Sequence, residues 1–113
     1  MKLTPIERKN RYGTLLSIYG SLLTDLIRRR MNDFYDQDLS LSEIAQNEQV
    51  SRNAVFISLS QGEKELDKYE EKMKLMSRSM TIRADLDQLL TVSDDLERKS
   101  IVDKIKGELD YGI

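Results

Sequence analysis

At 113 residues the chain is long enough for one compact domain, and two independent cores are not expected. Its 39% hydrophobic and 34% charged residues fit a soluble, helix-rich protein. The absence of cysteine and histidine excludes zinc fingers, thiol nucleophiles, histidine-based triads and disulfide frameworks, and a net charge of −2 argues against wholesale attraction to nucleic acid.

The single proline, Pro5, precedes the first periodic segment, so everything after it can be helical. Tyr12, Leu15, Leu16, Tyr19, Leu22 and Leu23 recur at helical spacing and predict an amphipathic helix from about Ile6 to Leu23. Gly13 and Gly20 each weaken it by about 1 kcal/mol. Gly20 is either a point of close helix packing or a plain surface glycine. Thr24 or Asp25 caps a second helix, whose inward face is Leu26, Met31, Phe34 and Tyr35, up to about Gln37. Ser40 with Glu43 forms a capping box before Ile44 and Ala45, opening a short third helix that ends near Asn47 or Glu48.

Ser51 caps a fourth helix that begins at Arg52 and is expected to run to about Ser79. Along it, Leu59, Gly62, Leu66, Tyr69, Met73, Met76 and Met80 alternate spacings of three and four, a heptad stripe. Ile82, Leu86 and Leu89 or Leu90 continue the apolar pattern. Ser93 with Asp94 and Asp95 starts a last helix with Ile101, Val102, Ile105 and Leu109 as its buried side, and Tyr111 to Ile113 should fray. No strand alternation of useful length occurs. The expected fold is all-α: a helix-turn-helix on a three-helix core, at about residues 10–62, within one domain whose C-terminal helices occupy about 63–113.

The stretch 42–56, SEIAQNEQVSRNAVF, carries the helix-turn-helix. Ala45 is small enough to let the second helix cross close by, and Ile44, Val50, Val55 and Leu59 can fill the angle. Arg52 and Asn53 stand where base edges would be met and suit guanine and adenine. Phe56 or Ile57 can touch a thymine methyl, and Ser51 with the free N–H groups of the helix start can face a phosphate. Two positions fit less well. Gln49 falls where the backbone often turns left-handed, at a cost of about 1 kcal/mol, and Glu48 occupies a usually apolar position where an unpaired carboxylate is costly. A displaced or more open turn is therefore expected.

Residues 1–30 carry seven bases and two acids, residues 31–60 one and five, and residues 61–113 ten and thirteen. Positive charge thus precedes the reading unit. Arg28, Arg29 and Arg30 either contact phosphates, adding affinity without sequence information, or form a solvated helix face paired with Asp33 and Asp36.

Leu22 to Thr24, Asp38 to Ala45, Val50 to Val55 and Tyr69 to Lys72, taken in this order and spacing, resemble the YlxM (p13-like) family of small bacterial proteins. The resemblance runs from about Asn10 to Leu90. It implies an all-helical, DNA-binding protein whose helix-turn-helix is similar to region 4 of sigma factors, of a family encoded beside genes of the signal recognition particle pathway. Association with that pathway, as regulator or component, is what the resemblance implies. Departures lie after Val55, where Phe56 to Gln61 lack the family's basic pair, and at Asn53, where a glutamine is usual.

Two functions are therefore expected to compete. One is a DNA-binding regulator that is weak or dependent on a homodimer. The other is an interaction module of the targeting pathway that does not bind DNA, whose Leu59–Met80 stripe pairs with itself or a partner unless it packs within its own domain. No catalytic constellation is visible, because paired acids such as Asp36 and Asp38 lack a partner base, and residues 36–47 fail as a calcium loop at Leu41 and Asn47. No enzyme activity, metal or small-molecule cofactor is expected. Binding to RNA ranks below DNA, since the aromatic residues sit at core spacings. No stretch approaches the roughly 18 apolar residues of a membrane span, and MKLTPIERKN lacks a signal peptide's apolar run, so the expected address is the cytoplasm.

Overall fold

Thr4 starts the first helix as the sequence chemistry demands: its hydroxyl accepts from the Glu7 N–H while the Glu7 carboxylate accepts from the Thr4 N–H, and Pro5 follows where no N–H is needed. This is a computed structural model in which residues 2–111 are described. Among them are six α-helices and no strand: α1 (Pro5–Tyr19), α2 (Asp25–Met31), α3 (Leu41–Glu48), α4 (Arg52–Met73), α5 (Leu75–Thr91) and α6 (Asp95–Tyr111). A 3₁₀ turn, Gly20–Leu22, follows α1, and a π-helical turn, Asn32–Asp36, extends α2. Among the described residues, no helix is long and apolar enough to cross a membrane. The chain divides into two compact units, residues 1–72 and 73–113.

In the first unit Tyr12, Leu15, Leu16 and Tyr19 of α1 pack with Leu23, Ile27, Met31 and Tyr35, and with Ile44, Val55, Leu59 and Leu66, all buried. The 3₁₀ turn resets the helical phase between α1 and α2. Leu22, expected inside, is therefore exposed, and so is Leu26, because Ile27, Met31 and Tyr35 at i, i+4 and i+8 form the inward face of α2 and its π-helical extension. The paired side chains show α1 and α4 running side by side in the same direction. Tyr12 Oη donates to Asp67 Oδ2 (2.8 Å), Tyr19 Oη to Glu70 Oε1 (2.8 Å), and Tyr35 Oη, beside them, to Glu63 Oε1 (2.5 Å). Arg8 reaches the other Glu63 oxygen and Arg11 binds Asp67 Oδ1 at 2.9 Å. Each buried phenol thus ends on a carboxylate, which satisfies the polar tips of a core otherwise made of apolar bodies. Gly62 lets α2 approach α4: a Cβ there would overlap Met31 Sδ and lie 2.9 Å from Ile27 Cγ2. Gly20 is buried but not required, its nearest neighbour being Leu16 Cδ1 at an ordinary 3.4 Å.

The tie between Glu63, Leu66, Asp67, Glu70 and their α1 or α2 partners carries the first unit ten residues past the expected core boundary near 62. Nor does α4 continue to Ser79. It stops at Met73, and Lys74 turns left-handed (φ 55°) before α5 begins. The heptad stripe is therefore not one surface: Leu59, Gly62 and Leu66 are core residues of the first unit, while Met76 and Met80 stand on a separate helix.

In the second unit α5 and α6 form a hairpin through residues 92–94. Arg98 Nε donates to Val92 O (2.9 Å) and Lys104 Nζ to Asp85 Oδ1 (3.1 Å), a pairing that places the two helices antiparallel. Of the expected buried side of α6, Ile101 is buried and Ile105 half-buried, but Val102 and Leu109 are exposed. Gly112 and Ile113 of the expected frayed end lie outside the described residues.

Candidate nucleic-acid interface

The reading unit is built from its caps. Ser40 Oγ accepts from the Glu43 N–H and the Glu43 carboxylate accepts from the Ser40 N–H, each at 3.0 Å, which sets the first residue of α3. Eight residues later the helix closes in a Schellman arrangement: the Gln49 N–H donates to Gln46 O (3.3 Å) and the Val50 N–H to Ala45 O (3.0 Å). Gln49 is left-handed (φ 59°, ψ 44°), the conformation anticipated at this position, and a glutamine there costs about 1 kcal/mol relative to glycine. Ser51 Oγ then accepts from the Ala54 N–H at 3.0 Å, and α4 departs at an angle. Ile44, Ala45, Val55 and Leu59 fill that angle, but Val50, expected with them, is 37% exposed.

The turn is closed, not displaced or opened as the sequence suggested, and the reason is Arg30. Its side chain, 8% exposed, lies between three helices: Nε donates to Glu48 Oε1 (3.0 Å), Nη1 to Ser58 Oγ (2.8 Å) and to Ala54 O (3.4 Å). Arg29 Nη2 adds a second bond to Glu48 Oε1 at 3.1 Å. The costly position is therefore occupied by half of a clamp joining the ends of α2 and α3 to the first turns of α4. Burial by itself would raise the Glu48 carboxyl, but the hydrogen bonds from Arg30 and Arg29, with their charges, outweigh it and hold the group below the ordinary glutamate value. Glu48 Oε2 is buried with no hydrogen-bond partner among the described residues.

The arginine triplet thus splits. Arg30 is removed from the phosphate-contacting set, since it is buried and its Nε and Nη1 are bound to Glu48, Ala54 and Ser58. Arg29 is exposed but bound to Glu48 and not to Asp33 or Asp36. Arg28 is exposed, its Nε passing over Gly20. On α4, Arg52 and Asn53 are both exposed in the first turn, with no hydrogen bond or ion pair among the described residues. Phe56 and Ile57 are each more than half exposed one turn further on. Phe56 also borders a half-open cleft of about 490 Å³, walled by Pro5, Phe34, Leu39 and Leu59 with Glu63 at its side. Sequence reading missed the clamp and the tyrosine–carboxylate ladder. The signal for the ladder was available: Glu63, Asp67 and Glu70 sit at spacings of four and three, flanking Leu59 and Leu66 on one face of α4.

Residues 6–107 match the family model described as "Putative helix-turn-helix protein, YlxM / p13 like". The chain is 36% identical over 104 residues to a UPF0122 protein of Clostridium kluyveri, covering 89% of this chain and 94% of that one. It is 41% identical over 89 residues to a UPF0122 protein of Fusobacterium nucleatum subsp. nucleatum (79% and 84% covered). With the UPF0122 protein YofM of Lactococcus lactis subsp. lactis the identity is 39% over 85 residues (75% and 77% covered).

Proposed function

The chain belongs to the YlxM/p13-like helix-turn-helix family, and from that premise we propose that it is a DNA-binding regulatory protein and not an enzyme. The observation that carries the reading is the placement of Arg52 and Asn53, exposed and unengaged on the first turn of α4, directly after a Ser51 cap and a closed turn. In this role Arg52 forks onto a guanine edge and Asn53 onto an adenine edge, each good pair being worth about 1–3 kcal/mol of discrimination. The Ser51 hydroxyl, Arg28 and the exposed end of Arg29 meet phosphates, and Phe56 lies against a thymine methyl or a sugar.

With so few cations, one copy holds DNA weakly, and a homodimer on half-sites about 34 Å apart supplies the remaining affinity. A cytoplasmic address and a regulatory part in the signal recognition particle pathway complete the proposal, the latter supported only by the gene neighbourhood that the family resemblance implies.

Fluorescence anisotropy with duplex genomic fragments, across a salt series, tests the reading. Arg52→Ala should relax base preference with little change in salt dependence, whereas Arg28→Ala should weaken all sequences and reduce the salt slope by about 1. Equal binding by native protein and Arg52→Ala, or no binding at low salt, overturns it.

A further inference from the structure

Residues 73–111 form two amphipathic helices whose only buried apolar side chain, among those described, is Ile101. Turning 100° per residue, Leu75, Leu86 and Leu90 fall on one strip of α5, and Val102 and Leu109 on one strip of α6. All five are exposed, Leu90 at 86% and Leu109 at 62%. Each strip is rotated in the same sense from the line along which the helices meet, marked by Asp85 on α5 and by Lys104 and Ile101 on α6. Antiparallel helices are related by a two-fold axis perpendicular to both, so equal rotations bring both strips to one side of the hairpin. The hairpin therefore carries a continuous apolar face spanning both of its helices.

We infer that this face binds the same face of a second copy of the chain, two hairpins closing into a four-helix bundle. Three features select that occupant. The five side chains leave roughly 400 Å² of apolar surface, within the ~300–600 Å² of the largest patch on a soluble chain, which is often functional. At the ~56–65% apolar share of interfaces this is roughly 600–700 Å² per partner, close to the ~800 Å² of a standard one. Residues 73–113 hold seven bases and eight acids, interspersed. A unit of so nearly balanced charge exerts no one-signed pull on nucleic acid or a charged peptide and sets up no net repulsion against a second copy. Finally, apolar strips on both helices require a partner as wide as the hairpin; a single helix would cover one groove, while an identical hairpin covers both and closes by two-fold symmetry.

The inference does not depend on DNA binding, and its test contains no DNA. Sedimentation equilibrium at roughly 1 to 100 μM should return twice the 13.2 kDa chain mass for the native protein. The double variant Leu86→Glu, Leu90→Glu should sediment as one chain with unchanged helical circular dichroism, because both side chains are exposed. Leu22→Glu, an equally exposed apolar position of the first unit, should remain dimeric. A native protein that stays monomeric at the top of that range overturns the inference, whether another protein or the chain itself covers the face. So does a double variant as dimeric as the native protein, or a Leu22→Glu variant that dissociates.

Discussion

Replacing Arg30 with methionine separates a clamp from a phosphate contact. The guanidinium is 8% exposed and serves Glu48, Ser58 and the Ala54 carbonyl. Its removal leaves Glu48, 16% exposed and already holding one orphaned oxygen, with only the solvent-exposed Arg29 as partner. Breaking a buried pair by deleting one member costs about 3–5 kcal/mol, a large part of the ~4–11 kcal/mol that 72 residues of ordinary stability would supply. Arg30→Met is expected to lower the urea midpoint of the first unit by ~2 M or more.

Glu48→Met should cost a similar amount, about 3–5 kcal/mol, because it leaves the Arg30 guanidinium buried without an opposing charge even though its bonds to Ser58 and Ala54 remain. Replacing both members with methionine should cost less than the two single losses added together, so that the double-mutant cycle returns a coupling of about 1–3 kcal/mol. Four of the five tyrosines lie in residues 1–72, which makes tyrosine fluorescence a reporter of this unit during urea titration. An Arg30→Met loss within about 0.5 kcal/mol of zero, as for an ordinary surface substitution, would refute the clamp and return Arg30 to the phosphate-contacting set.

Two glycines should respond in opposite directions to alanine. Gly62→Ala forces Met31 and Ile27 to move and should destabilise the first unit by about 1–3 kcal/mol, whereas Gly13→Ala meets nothing within 4 Å inside α1 and should stabilise it by about 0.5–1 kcal/mol; urea midpoints of both variants check this, and equal signs would refute it. Stability should also fall at both ends of the pH scale. The Glu48 carboxyl is held below its usual value of 4.5, so the unfolded chain takes up its proton first, and the stabilisation present above that value is lost as pH falls below it. The Tyr35 and Tyr12 phenols are raised, chiefly by burial and then by their bonds to Glu63 and Asp67. The folded chain therefore keeps protons that the unfolded chain releases at about pH 10, and this contribution is full below that pH and lost above it. Urea midpoints measured from acid to alkaline pH should form a plateau with two falling edges, and a flat alkaline side would count against the phenol–carboxylate pairs.

Much of the architecture was local in origin and therefore readable from the chain. The capping box at Ser40, the Ser51 cap and the left-handed Gln49 are settled within three or four residues, where side-chain chemistry and backbone sterics act without help from the rest of the fold. The stripe of Tyr12, Leu15, Leu16 and Tyr19 likewise marked the inner face of α1, because helical periodicity alone puts those residues together. The same local reasoning located Arg52 and Asn53 on the outside of the first turn of α4.

What the tertiary structure decided is the identity of partners far apart in sequence. Glu48 looked like a defect because the one cation near it in the chain, Arg52, lies beyond the turn and does not pair with it; Arg30, eighteen residues earlier, does, and only the meeting of α2, α3 and α4 brings them to 3.0 Å. The same crossing withdraws Arg30 from a basic triplet that is uniform in sequence. Periodicity assigned Leu22, Leu26, Val102 and Leu109 to an interior, but a 3₁₀ turn takes Leu22 off the face of α1, Ile27 takes the inward position of α2 in place of Leu26, and a two-helix hairpin has too little width to cover Val102 and Leu109. Local sequence specifies where helices begin, end and turn their apolar sides. Which of those sides is covered, and which charge is neutralised, depends on contacts that form only when distant segments meet.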